Sequence, residues 1–166
     1  MDADQNRGEP YRLLFVCTGN TCRSPLAAAI ARRALAARRW ENVSVASAGL
    51  GAFDGAPASD GSLSAAARHD LDLSDHRSAR VTQAMLDEAD LVLAMSPTHL
   101  FHLNDLGAGE KSVLLTAFAA AEDPAGIPPS VADPIGGSDE EYEETYRLLE
   151  LLVERALLRL EPIVAP

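Results

Sequence analysis

A short apolar run, Leu13 to Val16, passes through the loop CTGNTCRSP (residues 17–25) directly into a helical pattern. An apolar run this short, bounded by a glycine-containing loop, indicates a buried strand. Ser24 followed by Pro25 indicates the start of a helix, because serine caps helices and proline fits their first turn. A strand that leads into a helix across a tight loop is the building unit of a parallel α/β sheet.

The alternation of strands and helices continues along the chain. The spacing predicts strands at 12–17, 43–48, 90–95 and 112–115, and helices at 25–37, 59–69, 82–88, 97–106 and 139–160. This order predicts an α/β fold of three layers, in which helices cover both faces of a parallel sheet. A chain of 166 residues is expected to form one domain. We expect that domain at 11–163, a disordered lead at 1–10 and a short tail at 164–166.

Composition limits the partners and the compartment. The net charge of -11 disfavours nucleic acid and anionic membranes as partners. No apolar run approaches the ~18 residues that cross a bilayer, and residues 1–10 lack the basic and apolar regions of a signal peptide. We therefore expect a cytoplasmic protein without a membrane partner. Both cysteines of the sequence lie in the 17–25 loop, so no disulfide framework is expected.

The loop at 17–25 has the chemistry of an anion cage with a nucleophile at its base. Gly19 and Asn20 tolerate the left-handed backbone angles that turn successive N–H groups inward, and the helix start adds further N–H donors. Arg23 supplies a planar guanidinium that matches two oxygens of a phosphoryl group. The thiolate is the nucleophilic form of cysteine, and nearby positive groups favour it. These residues predict phosphoryl transfer to the sulfur of Cys17, with the Ser24 hydroxyl donating to that sulfur.

The pattern Cys-x-Gly-Asn-x-Cys-Arg-Ser-Pro at 17–25 resembles the signature of the low-molecular-weight protein tyrosine phosphatase family. The resemblance covers most of the chain, since the segment 47–49 (SAG), the strand at 91–95 and the Asp133-Pro134 pair also fit it. It implies a strand order of 2-1-3-4, which places the loop at a topological switch point, where ligands bind. It also implies a metal-independent cysteine phosphatase without a cofactor, which acts on phosphorylated proteins through a phosphocysteine intermediate.

The resemblance assigns roles to individual residues. It implies that Cys17 is the nucleophile, Arg23 the phosphate-binding arginine and Asp133 the general acid. The substrate-binding loop that it implies consists of Thr18, Gly19, Asn20, Thr21, Cys22 and Ser24. Ser47 and His76 are implied to support the loop asparagine. Without the resemblance, Asp133 is interpreted as a turn residue before proline, and His76 as a surface histidine in a loop.

Two features resemble one branch of the family, the bacterial protein-arginine phosphatases. Thr21 stands where tyrosine-directed members usually carry a bulkier aliphatic residue, and the segment 133–137 (DPIGG) fits the branch. Ile135 departs from it, because an aromatic residue commonly follows Asp-Pro, and this argues against a stacked phosphotyrosine ring. The sequence therefore favours phosphoarginine in proteins as the substrate, with phosphotyrosine as the alternative. A non-catalytic phosphate-binding adaptor is a remote third interpretation, since it needs Arg23 but neither Cys17 nor Asp133.

Three other classes fit the residues less well. An arsenate reductase of this fold needs further cysteines outside the loop, and a nucleotide-binding P-loop needs Gly-Lys-Ser/Thr after its glycine-rich turn. A zinc site built from Cys17, Cys22, His99 and His102 would place Arg23 beside the cation. We expect no metal, and we expect both histidines to be exposed on one helix.

Cys22 and Phe53 each allow two interpretations. Cys22 either traps an oxidised Cys17 as a disulfide or packs under the loop as a small apolar residue. Phe53 either forms a wall of the pocket or fills a core position.

The proline-interrupted segment 106–137 is expected to be the loosest part of the chain and to deliver Asp133 to the leaving group. The sequence leaves the oligomeric state open and favours a monomer.

Overall fold

The computed structural model describes residues 8–121 and 123–166, and these contain a four-stranded parallel sheet. The strands are β1 (Tyr11–Cys17), β2 (Val43–Gly49), β3 (Leu91–Ala94) and β4 (Ser112–Leu114). Their order is β2-β1-β3-β4, so the first strand is central. In the register of the sheet, Leu13 pairs with Val45 on one side and with Leu91 on the other. The predicted α/β class and strand order are confirmed.

Six helices cover the sheet in the described residues. They are α1 (Arg23–Arg38), α2 (Asp60–Arg68), α3 (Gln83–Glu88), α4 (Pro97–Asp105), α5 (Leu115–Ala120) and α6 (Asp139–Val164). Successive side chains of a strand point to opposite faces, and β1 follows this rule. Leu13 and Phe15 join the core cluster that contains residues of α1 and α6, whereas Leu14 and Val16 join the cluster that contains residues of α3 and α4. The fold therefore has three layers.

The last helix begins where the sequence predicts and runs further than expected. The Ser138 hydroxyl caps it by accepting a hydrogen bond from the Glu141 N–H at 3.2 Å. Its predicted apolar face is buried along the whole helix, as Tyr142, Tyr146, Leu149, Val153, Leu157 and Leu160. The helix ends at Val164, which is buried and accepts a hydrogen bond from the Asn42 amide through its carbonyl oxygen. Val164 thus belongs to the packed helix, whereas the expected tail began there.

The prediction that 106–137 is the loosest part of the chain is wrong for its first half. Helix α5 follows β4 directly, and it buries Leu115 and Phe118 in the core cluster shared with α6. The guanidinium of Arg159 lies 4.2 Å from the centre of the Phe118 ring. A helix of six residues offers fewer than two turns of periodicity, so its own sequence carries little helical signal.

The second half of that segment is irregular but attached to the fold. The Thr116 hydroxyl donates to the carbonyl oxygen of Pro129 at 3.0 Å, and the Val131 N–H donates to the carbonyl oxygen of Met95 at 2.9 Å. Since Met95 directly follows β3, the second contact holds the segment at the carboxyl edge of the sheet.

Two further expectations concern the ends of the chain and the membrane. The predicted disordered lead at 1–10 falls mostly on residues 1–7, which lie outside the described residues. Among the residues that the structure describes, no helix combines the length and the apolar character needed to cross a bilayer.

Candidate active site

The 17–25 loop connects β1 to α1 at the carboxyl end of the central strand. Because β2 and β3 flank β1 on opposite sides, the chain crosses from one face of the sheet to the other beside this loop. Asn20 has a φ of 56°, the left-handed conformation that asparagine tolerates. Thr18 is held from the β2 side, since its carbonyl oxygen accepts the Gly51 N–H at 2.9 Å.

Asn20 is fully buried and forms the centre of a hydrogen-bond network. Its Oδ1 accepts the Ala79 N–H at 2.9 Å, and this fixes the orientation of the amide. Its Nδ2 consequently faces Ser24 and Ser47, and it donates to their hydroxyl oxygens at 2.8 and 3.0 Å. The side chain thus joins the loop to β2.

His76 supports the same asparagine through the backbone. Its Nε2 lies 2.7 Å from the carbonyl oxygen of Asn20. A carbonyl oxygen only accepts, so Nε2 carries the hydrogen in this contact. The structure therefore brings Ser47 and His76 to Asn20, one at its side chain and one at its main chain.

Cys17 is buried with its sulfur 2.9 Å from the Ser24 hydroxyl. Because Ser24 already receives a hydrogen from Asn20, its own hydroxyl hydrogen is free to be donated to the sulfur. This arrangement changes the predicted helix start. Helix α1 begins at Arg23, with Cys22 in the capping position, because the Ser24 hydroxyl bonds to Cys17 and Asn20 instead of capping the helix.

Arg23 is 5 % exposed and is held by two residues of the loop that precedes α6. One terminal nitrogen donates to the carbonyl oxygen of Val131 at 2.9 Å, and the other lies 3.6 Å from Asp133 Oδ2. Its Nε, although buried, has no hydrogen-bond partner among residues 8–121 and 123–166. A buried N–H of a cation without an acceptor is costly, and an oxygen of a bound anion would satisfy it.

Asp133 lies at the mouth of the loop, and its side chain is 41 % exposed. Its two oxygens have different partners. Oδ1 accepts the Ile135 N–H at 3.1 Å, which is the turn arrangement typical of aspartate before proline. Oδ2 faces Arg23. The two interpretations of this residue, turn former and site carboxylate, therefore apply to different atoms of one side chain.

His99 is the polar residue of the site that sequence reasoning missed. It was expected to be exposed with His102, and this is wrong for His99, which is buried. Its Nε2 lies 2.8 Å from the Thr18 hydroxyl oxygen. Burial above all, with the positive charges of Arg23 and His102, lowers the pKa of His99 to about 4, and Asp133 acts in the opposite direction. His99 is therefore neutral at pH 7.

A periodic signal for His99 was present in the sequence. Leu103 stands four residues later on α4 and is fully buried, so both side chains lie on the inward face of the helix.

Cys22 lies under the loop and points into a small polar group. Its sulfur is 3.2 Å from the Ser59 hydroxyl and 3.5 Å from the Tyr142 hydroxyl. Burial and the contact with Cys22 raise the pKa of Tyr142. Both cysteines, which lie in the described part of the chain, are free thiols.

Three further side chains that the sequence singles out are half-buried or exposed. Thr21 is half-buried. Its hydroxyl lies beside Gly19, since a side-chain Cβ placed on that glycine would be 3.6 Å from the hydroxyl oxygen. Phe53 is 87 % exposed, so the interpretation that it fills a core position is wrong. Ile135 is 59 % exposed directly after Asp133 and Pro134.

The alternative zinc site is not assembled. Within 8–121 and 123–166, no group of three histidine, cysteine or acidic side chains lies close enough to hold a metal ion. Cys22 faces Ser59 and His99 faces Thr18, so the four proposed ligands do not converge.

Comparisons with known proteins agree with this geometry. A family model described as low molecular weight phosphotyrosine protein phosphatase matches residues 12–162. A protein-arginine-phosphatase of Geobacillus stearothermophilus is 34 % identical over 160 residues, 92 % of this chain and 97 % of that protein. The low molecular weight protein-tyrosine-phosphatase Wzb of Salmonella typhi is 34 % identical over 139 residues, 84 % of this chain and 87 % of its own length.

A solved structure of a YwlE arginine phosphatase mutant, with a phosphorylated active site serine, superposes with a TM-score of 0.83. It is 32 % identical to this chain, and the match covers 92 % of this chain and 97 % of that one. The family match spans nearly the whole domain, and the cysteine, the arginine and the carboxylate meet around one loop. The chain is therefore a protein phosphatase that belongs to the low molecular weight phosphotyrosine protein phosphatase family.

Proposed function

We propose that this phosphatase removes phosphate from phosphoarginine in proteins, through a phosphocysteine intermediate on Cys17. The observation that carries the substrate class is the part-exposed Asp133 carboxylate 3.6 Å from Arg23, beside a loop in which Thr21 supplies a hydroxyl. A guanidinium carries several N–H donors, and a carboxylate is the acceptor that suits them.

In the first step the sulfur of Cys17 attacks phosphorus, and the bond from phosphorus to the guanidinium nitrogen breaks. Asp133, protonated at this stage, gives its proton to that nitrogen as it leaves. The buried Nε of Arg23, together with the N–H groups of the loop, holds the equatorial oxygens of the phosphoryl group.

In the second step water attacks the phosphocysteine and the sulfur–phosphorus bond breaks. Asp133 takes a proton from the water, and inorganic phosphate leaves. The Ser24 hydroxyl, 2.9 Å from the sulfur, stabilises the departing thiolate with its hydrogen bond. A phosphorylated active site serine is present in the mutant YwlE structure, and this supports the proposal of a covalent phosphoryl intermediate.

Phosphotyrosine is the second candidate substrate, and one observation favours it. Phe53 offers an aromatic surface that is almost entirely exposed, on the loop that reaches Thr18 through Gly51. A flat ring of a substrate packs well on such a surface. The likeness to Wzb of Salmonella typhi supports this candidate, and the likeness to the Geobacillus protein supports phosphoarginine.

The experiment measures kcat/KM for matched phosphoarginine and phosphotyrosine peptides on the parent enzyme, on Thr21→Val and on Thr21→Ile. Valine removes the hydroxyl at nearly constant volume, whereas isoleucine also adds bulk. We expect the parent to prefer phosphoarginine, and the preference to shrink in Thr21→Val and further in Thr21→Ile. Equal or faster turnover of phosphotyrosine by the parent would replace this proposal with the second candidate.

A further inference from the structure

Thr18, the residue that follows Cys17, is held by hydrogen bonds from both sides of the central strand. From the β2 side its carbonyl oxygen accepts the Gly51 N–H at 2.9 Å. From the β3 side its hydroxyl oxygen lies 2.8 Å from Nε2 of His99, on the first turn of α4. The backbone contact follows from the path of the loop after β2. The side-chain contact instead depends on one imidazole.

Both nitrogens of that imidazole are engaged. Nδ1 lies 3.0 Å from the hydroxyl oxygen of Ser96, the residue in the N-cap position of α4. Serine in this position commonly accepts a hydrogen bond from the first helical turn, but within the described chain the Ser96 side chain makes no capping bond. A neutral imidazole donates from one nitrogen and accepts with the other, so it can join two hydroxyl groups.

The position of His99 connects it to the reacting groups. It is 4 % exposed, and the charges of Arg23 and Asp133 both act on its ring. The pKa of His99, lowered to about 4 by burial first and by Arg23 second, keeps the ring neutral at pH 7. A cation here would repel Arg23, while a neutral ring can hold Thr18 without adding charge.

We propose that His99 is a positioning residue of the phosphate loop. Ser96 holds the imidazole at Nδ1, and the imidazole holds the Thr18 hydroxyl at Nε2. This keeps the first N–H groups after the nucleophile aimed at the phosphoryl group. This inference rests on the proposed role of Cys17 and the loop. His99 acts through Thr18, so its effect falls on the phosphoryl group that all substrates share and not on the leaving group.

The test compares His99→Asn with His99→Gln. The glutamine amide reaches about as far as Nε2 of histidine and can bond to Thr18, whereas the shorter asparagine amide reaches only to the Nδ1 position. Loss of this part-buried hydrogen bond is expected to lower kcat/KM by about ten-fold in His99→Asn, equally for phosphoarginine and phosphotyrosine peptides. His99→Gln should recover to within about three-fold of the parent. His102→Gln, the same change on the exposed face of α4, is the matched control and should leave kcat/KM unchanged.

A double-mutant cycle tests whether His99 acts through Thr18. Thr18→Val removes the hydroxyl at nearly constant volume from an exposed position, so it tests the contact even if His99→Asn fails to fold. We expect Thr18→Val to match His99→Asn, and the double mutant to lose no more than either single mutant. Additive losses, a parental rate in His99→Asn, or glutamine no better than asparagine would overturn the proposal.

Binding of inorganic phosphate, measured by calorimetry, separates this inference from the proposed function. Phosphate affinity should fall about ten-fold in His99→Asn and return in His99→Gln, whichever phosphopeptide the parent hydrolyses. Turnover of neither peptide by the parent would overturn the proposed function while this binding series still decides the role of His99. Parental phosphate affinity in His99→Asn would overturn the role of His99 while the proposed function stands.

Discussion

The floor and the rim of the active site are built in opposite ways. The floor, defined here as Cys17, Asn20, Arg23 and Ser24, is buried. Three of these residues bond to one another, Asn20 also bonds to β2, and Arg23 bonds to the loop before α6. The rim, defined as Thr21, Asp133 and Ile135 together with Phe53 on the loop after β2, is half-buried or exposed. The difference separates the two tasks of the enzyme. In the proposed function the buried floor binds the phosphoryl group that all substrates share, and the exposed rim meets the part of the substrate that differs between candidates.

The largest expected effect comes from the centre of the floor. Cys17→Ser should reduce turnover by at least about 10⁴-fold, because the nucleophile is lost, yet it should keep phosphate binding, because Arg23 and the loop N–H groups remain. Rate assays and phosphate titration of the same preparation check both parts. Cys22→Ser, the same substitution outside the floor, should cost far less. Full activity in Cys17→Ser, or an absolute requirement for a divalent metal, would contradict the mechanism.

The second effect comes from the rim, at the residue that touches the floor. Asp133→Asn should slow turnover by roughly 10²- to 10³-fold for poor leaving groups and much less for good ones, since only a poor leaving group needs the proton. A series of aryl phosphates with graded leaving-group acidity measures this dependence. A uniform loss across the series would indicate that Asp133 only positions Arg23, 3.6 Å away.

A third prediction concerns His99, which holds the loop at Thr18, and the pH dependence of its contribution to the free energy of unfolding. The pKa of His99 is lowered from 6.5 to about 4, by burial first and then by Arg23 and His102, so the unfolded chain takes up the proton first as the pH falls. The free energy of unfolding therefore includes the full contribution of His99 above pH ~6.5. As the pH falls towards ~4, the free energy of unfolding decreases by on the order of 3 kcal/mol because of this residue.

Denaturant unfolding at several pH values, on the parent and on His99→Gln, isolates this contribution. Glutamine does not titrate, so the gap in stability between the two proteins should narrow as the pH falls. Parallel curves from pH 7 to pH 4 would show that His99 titrates alike in the folded and unfolded states.

The smallest effect tests whether the floor can rearrange. Peroxide should convert Cys17 to a sulfenic acid, which the Cys22 thiol attacks to give a disulfide and water. Because Ser59 and Tyr142 bond to the Cys22 sulfur, Tyr142→Phe should raise the disulfide fraction by about two-fold. Mass spectrometry counts the products. Sulfonic acid on Cys17, with no bond to Cys22 and no rescue by dithiothreitol, would favour the packing role of Cys22.

Local chemistry explains which parts of the site were predictable. The loop residues are adjacent in sequence, so the role that we propose for them follows from the spacing of Cys17, Arg23 and Ser24. Asp133, Ser47 and His76 needed the family resemblance, because no local pattern connects them to a loop far away in the chain. The helix start was misplaced because the Ser24 hydroxyl bonds to Cys17 and Asn20, and both partners are set by the folded loop.

The sequence by itself determined the alternation of strands and helices, the buried face of the last helix and the residues of the loop. These depend on periodicity and on backbone preferences that act over a few residues. Only the tertiary structure decided that His99 is inside, that α5 forms and that Asp133 faces Arg23. Burial and the partner of a polar side chain depend on which distant segment packs against it, and packing is a property of the whole chain.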